Sequence, residues 1–191
     1  KQNNTLERVS FYQMNLFRPI FKEESFSLVI CNGVLHHTSD PSLGFQIISR
    51  LVKKGGYIIV GLYNKFGRIS TDARRIIFKL FNYRLKFLDP LLMDKDRSDF
   101  RKKIWFMDQY RNPHESKHTI GEVLKWFAQA GFDFVNSVPR SRSFENISEE
   151  ERLFQAKSKG NPLDHFIVQA CFMFTGCREG GLFIMIGRKR P

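Results

Sequence analysis

Two adjacent histidines, His36 and His37, stand just beyond a short apolar run, Phe26 to Cys31, and an Asn32-Gly33 pair. Imidazole titrates near neutral pH, so paired histidines at a strand exit are candidates for proton transfer, or for a hydrogen-bonded elbow. A second polar cluster, Met107 to Thr119 (MDQYRNPHESKHT), carries Tyr110, Arg111 and His114. Binding residues favour loops held by a scaffold, which makes this segment a candidate substrate lid. His114 and His118 have the i, i+4 spacing of a metal pair, but no third ligand is evident and no metal is assigned. Cys31, Cys171 and Cys177 each lie in or beside an apolar segment and are expected to be reduced core thiols.

The elements that must position these residues lie between Ser25 and Asn64. Phe26 to Cys31 is too short for a helix and apolar along most of its length, as a strand buried on both faces would be. Gly33 frees the backbone to turn and to approach a ligand. Asp40 and Pro41 form a helix start, and Leu43, Ile47, Ile48, Leu51 and Val52 recur at helical spacing. Lys53-Lys54-Gly55-Gly56 reads as the helix stop, and Tyr57 to Leu62 as a second buried strand. A strand, a crossover helix and a strand connect right-handedly, so the two strands run parallel. Their carboxyl ends, Asn32 to His37 and Tyr63 to Arg68, then share the edge at which open α/β sheets bind ligands.

The motifs FSLVICNGVLHHTSDP, RLVKKGGYIIV and AGFDFV resemble the second half of a class I S-adenosylmethionine-dependent methyltransferase, close in style to small-molecule and quinone-type enzymes. The resemblance implies an α/β, Rossmann-like fold holding strands three to seven of seven, with a helical insertion or lid over 66–118. Arg8 to Leu16 would be the third strand, Phe26 to Cys31 the fourth, Tyr57 to Leu62 the fifth, Phe132 to Val138 the sixth and Leu182 to Ile186 an antiparallel seventh. Lys54 stands where Pro is usual and Asn15 where an Asp often contacts the adenine. The family's glycine-rich G-x-G-x-G turn does not occur in these 191 residues.

By this resemblance S-adenosylmethionine is the cofactor. Asn15 and Leu16 would lie near its adenine, and Cys31, Asn32 and Gly33 along its length. His37, with His36 as the second candidate, would act near the reactive methyl, and Tyr63, Tyr110, Arg111 and His114 would meet the acceptor. The implied activity is methyl transfer to a small-molecule acceptor. The alternatives are an RNA methyltransferase using the basic insertion and a non-catalytic interaction module. The chain opens on Lys1 and enters a strand-like pattern almost at once, so residues 1–191 are expected to be the C-terminal part of one domain, inactive without a missing N-terminal half.

Downstream, Ile69 to Leu88 is helical in pattern. Its apolar Ile76, Ile77, Leu80 and Phe81 are expected to face inward, and its basic Arg74, Arg75, Lys79 and Arg84 to form a solvated face. Thr119 with Glu122 is a capping box opening a helix that stops at Gly131, and Ser148 with Glu151 repeats the pattern. Leu163 to Phe174 is apolar nearly all round, as a buried or interface-facing helix would be, with His165 structural.

The composition, 42% hydrophobic and 14% aromatic over 191 residues, can bury one sizeable core. The formal charge is +12, and more than half of it lies between Lys65 and Arg111, where thirteen basic residues face six Asp. Such a local excess suits nucleic acid or peripheral contact with an anionic membrane. No apolar run spans a bilayer and no secretory signal is visible, so a cytoplasmic protein is expected.

Overall fold

The βαβ unit forms as its pattern requires in the computed structural model, which describes residues 9–112, 114–145, 152–175 and 181–191. Strand β1 (Phe26–Asn32), helix α1 (Pro41–Arg50) and strand β2 (Val52–Tyr63) follow one another. The strands pair in parallel, with Cys31 opposite Val60 and Asn32 opposite Gly61. The Asp40 carboxylate accepts from the Leu43 N–H at 2.9 Å, and Pro41 occupies the first helical turn. The helix stops earlier than its spacing suggests. Arg50 is its last residue, and Lys53 to Gly56 form the irregular start of β2, because Glu24 and Phe26 capture the carbonyls of Arg50 and Leu51.

The remaining strands are β3 (Phe132–Val138) and β4 (Leu182–Lys189), giving the order β1-β2-β4-β3 with β4 antiparallel to both neighbours. The strands expected to be fifth, sixth and seventh are therefore present and adjacent. Of the strand expected over Arg8 to Leu16, the described residues 9–16 form none. Residues 9–15 are irregular and end in a turn, where the Asn15 side chain accepts from the Phe17 N–H at 2.9 Å. A strand needs an edge to pair with, and β1 pairs only with β2 among the described residues. Nor is β1 buried on both faces. Cys31 faces the core, whereas Leu28 and Ile30 on the other face are 40% and 63% exposed.

Helix α5 (Ile120–Gln129) covers the core face beside α1 and begins with the capping box, Thr119 and Glu122 each accepting from the other's backbone N–H. Phe45, rather than Leu43, joins the expected Ile48 as what α1 commits to this core. Its ring lies 5.6 Å from that of Phe127 and 6.4 Å from that of Phe132, and this aromatic contact sets the rotation of the helix. Helix α6 (Pro162–Thr175) is not buried all round, since Leu163, Phe166 and Phe174 are exposed. What it buries includes Gln169, whose side-chain oxygen accepts from Asn64 Nδ2 and from the Ile120 N–H, both at 3.0 Å. The polar anchor, not the apolar count, orients it. Cys31 is a buried thiol, but Cys171 is exposed on α6. Cys177 and the Ser148–Glu151 pattern lie outside the described residues.

The insertion comprises α2 (Ile69–Leu80), α3 (Pro90–Met93), α4 (Asp99–Phe106) and a π-helical turn over Met107–Arg111. The helix expected to reach Leu88 breaks after Leu80, where Asn82 and Tyr83 take φ of 48° and 59°. Lys79 and Arg84 are solvated as expected, but the rest of the pattern is reversed. Arg74 and Arg75 turn inward to Asp89 and Glu115, while Ile76 and Leu80 are 60% and 75% exposed. Buried carboxylates without cations would cost several kcal/mol each, which outweighs about 1.5–3 kcal/mol for hiding an aliphatic side chain. Among the described residues no helix is long and apolar enough to cross a membrane.

Candidate functional site

The loops leaving β1 and β2 share one edge, as the parallel pairing requires, and residues 114–118 are stitched across both. From the first loop, the His36 carbonyl accepts from the Ser116 N–H at 2.8 Å, and the Thr38 carbonyl lies 2.8 Å from His114 Nε2. From the second, the His118 N–H donates to Tyr63 at 2.8 Å and the Lys65 N–H to His118 at 3.0 Å. The polar segment thus lies over the strand exits.

The two histidines differ sharply in surroundings. His37 Nδ1 lies 3.0 Å from Asn112 Nδ2 and 3.1 Å from the His114 carbonyl, while its Nε2 is 3.8 Å from Asp108 Oδ1. Its side chain keeps contact with solvent. His36 is 1% exposed, and its ring lies 4.1 Å from the ring of Tyr63. Neither of its nitrogens has a hydrogen-bond partner among the described residues. Burial, and then the positive charges of His37, Arg68 and His118, push its pKa down to about 3, so it is neutral at physiological pH.

Below the histidines lies a buried charge network centred on Arg68 and Glu115, residues that carried no signal in the sequence beyond their place near the edge. Arg68 is 0% exposed, and its Nε and Nη2 donate to the two Glu115 oxygens at 3.0 and 2.5 Å. Its guanidinium carbon sits 4.0 Å from the centre of the Tyr63 ring, and it also donates to Gln109 Oε1. Arg75 reaches the same carboxylate at 3.0 Å and the Gln109 carbonyl at 2.6 Å. The Tyr63 hydroxyl donates to Asp108 Oδ2 at 3.1 Å and accepts from Gln109 Nε2 at 3.0 Å. Burial and the Asp108 charge push that phenol up to about 12. The network joins β2, α2 and the π-helical turn into one rigid support.

The other residues singled out by the sequence are dispersed. Tyr110 is buried inside the insertion, its hydroxyl donating to Asp89 Oδ2 at 2.6 Å beside the Trp105 indole. The Arg111 guanidinium lies 4.6 Å from the Tyr83 ring. His118 pairs with Glu122 and Ser116, and among the described residues no three metal-ligating side chains converge. Leu16 packs on the core, and burial pushes the Cys31 thiol up to about 11. Asn32 and Gly33 remain at the open edge. Gly33 has φ +75° and nothing within 4 Å of where a Cβ would stand. Asn32 lies across Gly61, where a Cβ would stand 1.7 Å from its Oδ1. Gly61 is therefore a seat for the Asn32 amide, which the sequence did not disclose.

Residues 1–60 match the family model of a methyltransferase domain. An uncharacterised protein of a Synechococcus strain is 21% identical over 163 residues, spanning 74% of this chain and 39% of that protein. Among solved structures, PKMT2 from Rickettsia typhi in complex with AdoHcy aligns with a TM-score of 0.57 at 11% identity, covering 93% of this chain and 39% of that one. A chain of the Haloferax volcanii complex containing the Trm112 methyltransferase activator aligns with a TM-score of 0.50 at 13% identity, covering 95% and 62%. The chain spans well under half the length of the curated relative and of the Rickettsia protein. Strand β1, helix α1 and most of β2 fall inside the matched residues, which are less than a third of the chain, and the sheet as a whole shares the fold of these solved structures.

Proposed function

We propose that the protein transfers a methyl group from S-adenosylmethionine to a small-molecule acceptor at the Asn32–His37 elbow. The observation that supports this is the elbow itself. It lies within the residues matching a methyltransferase domain, at the shared carboxyl edge of two parallel strands, under residues 114–118. The Asn32 amide and the half-buried Gly33, with nothing within 4 Å of where its Cβ would stand, fit a polar cofactor, having hydrogen-bonding capacity and open space together. S-adenosylmethionine supplies an electrophilic methyl when bound. Displacement from a sulfonium is in line, so holding acceptor and cofactor in register supplies most of the acceleration, with effective molarities of about 10⁵ M or more in well-oriented cases.

His37 is the residue assigned to proton removal from the acceptor. Asp108 at 3.8 Å stabilises the imidazolium that would form, and Asn112 and His114 hold the ring in place. His36 is unsuited, being buried and held neutral.

The test, on the full-length protein, follows transfer of labelled methyl from S-adenosylmethionine into a panel of small phenols and amines and, separately, into RNA. Label in the small acceptors is expected, with His37→Asn lowering kcat about 10²–10⁴-fold and leaving cofactor affinity intact. Label in RNA alone, or in neither, overturns the reading. The Asn32 seat makes a second prediction. Gly61→Ala should turn the Asn32 amide out of position and weaken S-adenosylmethionine binding about tenfold by calorimetry, the worth of one hydrogen bond. Unchanged affinity would remove Asn32 from the site.

A further inference from the structure

The insertion presents apolar stripes to solvent on the sides opposite those by which it packs. On α2, Ile69, Ile76 and Leu80 share one face, and all three are exposed. The opposite face holds Thr71, Arg75 and Phe78, turned to the domain. On α4, Phe100 and Ile104 repeat the arrangement, continued by Met107 at the start of the π-helical turn, while Trp105 bonds inward to Asp89. Exposed aliphatic and aromatic side chains lined along one face of each helix suit an interaction surface.

The charges around these stripes identify the partner. Between Lys65 and Arg111, eight basic side chains are exposed against two Asp, because the arginines at 68, 74 and 75 and the Asp at 89 are drawn inside. Lys79 and Arg84 flank the α2 stripe, and Arg101 and Lys103 the α4 stripe. A second copy would bring the same positive charge against it and be repelled. Nucleic acid would meet the lysines and arginines but leave the aliphatic stripes without a role. An anionic bilayer satisfies both, taking the stripes into the headgroup and acyl boundary and the cations onto its phosphates.

We propose that the insertion is a peripheral docking surface for anionic membranes, with α2 and α4 lying against the lipid. This stands on the insertion alone and does not depend on the chemistry at the elbow.

The experiment is cosedimentation of the full chain with phosphatidylcholine vesicles, with and without about 30% phosphatidylserine. Binding to the anionic vesicles is expected to exceed binding to the neutral ones by about tenfold or more and to fall as salt is raised. Leu80→Glu/Ile104→Glu should reduce it about tenfold or more, as should Lys79→Glu/Lys103→Glu. All four side chains are exposed, so the fold survives these changes, and unaltered thermal melts of the variants establish this. Equal or absent binding to the two vesicle types, or anionic binding that the variants leave unchanged, overturns the proposal. Self-association in light scattering that Leu80→Glu abolishes, without vesicle binding, assigns the face to a second copy instead. RNA binding without vesicle binding overturns it in favour of nucleic acid.

Discussion

Replacing Glu115 with leucine is expected to remove about 3–5 kcal/mol from the unfolding free energy, read as a fall in the urea midpoint at unchanged slope. The carboxylate neutralises Arg68, which has no exposed surface, and shares its charge with Arg75. Without it the Arg68 cation stays buried between the Tyr63 ring and Gln109. The same change in a chain that already carries Arg68→Met should be much milder, because an apolar pair of similar volume replaces two desolvated charges. Arg75, 18% exposed at its side chain, can turn toward water and Asp72 in that background. A single variant within about 1 kcal/mol of the parent would mean that the ion pair is hydrated rather than buried.

The second large effect is on acid stability. His36 has an ordinary pKa of 6.5 in the unfolded chain and about 3 in the fold, so between those values the unfolded state binds the extra proton. Its contribution is complete above pH 6.5 and is lost as pH falls toward 3. The loss reaches about 2 kcal/mol at pH 5. His118, lowered mainly by burial, acts in the same direction. His36→Phe keeps a ring against Tyr63 and removes both nitrogens, so this variant should lose less stability between pH 7 and 5. At pH 7 it should gain about 1–3 kcal/mol from deleting buried polar atoms without partners. A variant as acid-sensitive as the parent and less stable at pH 7 would show that His36 holds hydrogen bonds in solution. Denaturant titrations at pH 7, 6 and 5 distinguish these outcomes.

Much of the scaffold was legible because its signals are local. Asp40 with Pro41, the Thr119–Glu122 box and the apolar runs of β1, β2 and β4 each lie within one turn or one strand. The strand predicted over Arg8 to Leu16 misled because alternation records a preference for an extended chain, while a strand exists only when another edge accepts its hydrogen bonds. In the site, the polar composition of Met107 to Thr119 marked the segment that covers the elbow. The pairing of Arg68 with Glu115 across 47 residues had no counterpart in any local pattern.

The sequence by itself determined that the chain contains a parallel βαβ unit, that its polar residues gather at the carboxyl edge, and that α2 carries one aliphatic and one basic stripe. Only the tertiary structure decided which stripe of α2 faces inward and which of the two histidines is sealed from water. Periodicity places side chains on faces, but burial of a face depends on what lies opposite it. Here buried Glu115 and Asp89 draw in the arginines, turn the isoleucines out, and leave Arg68 and Tyr63 to close over His36.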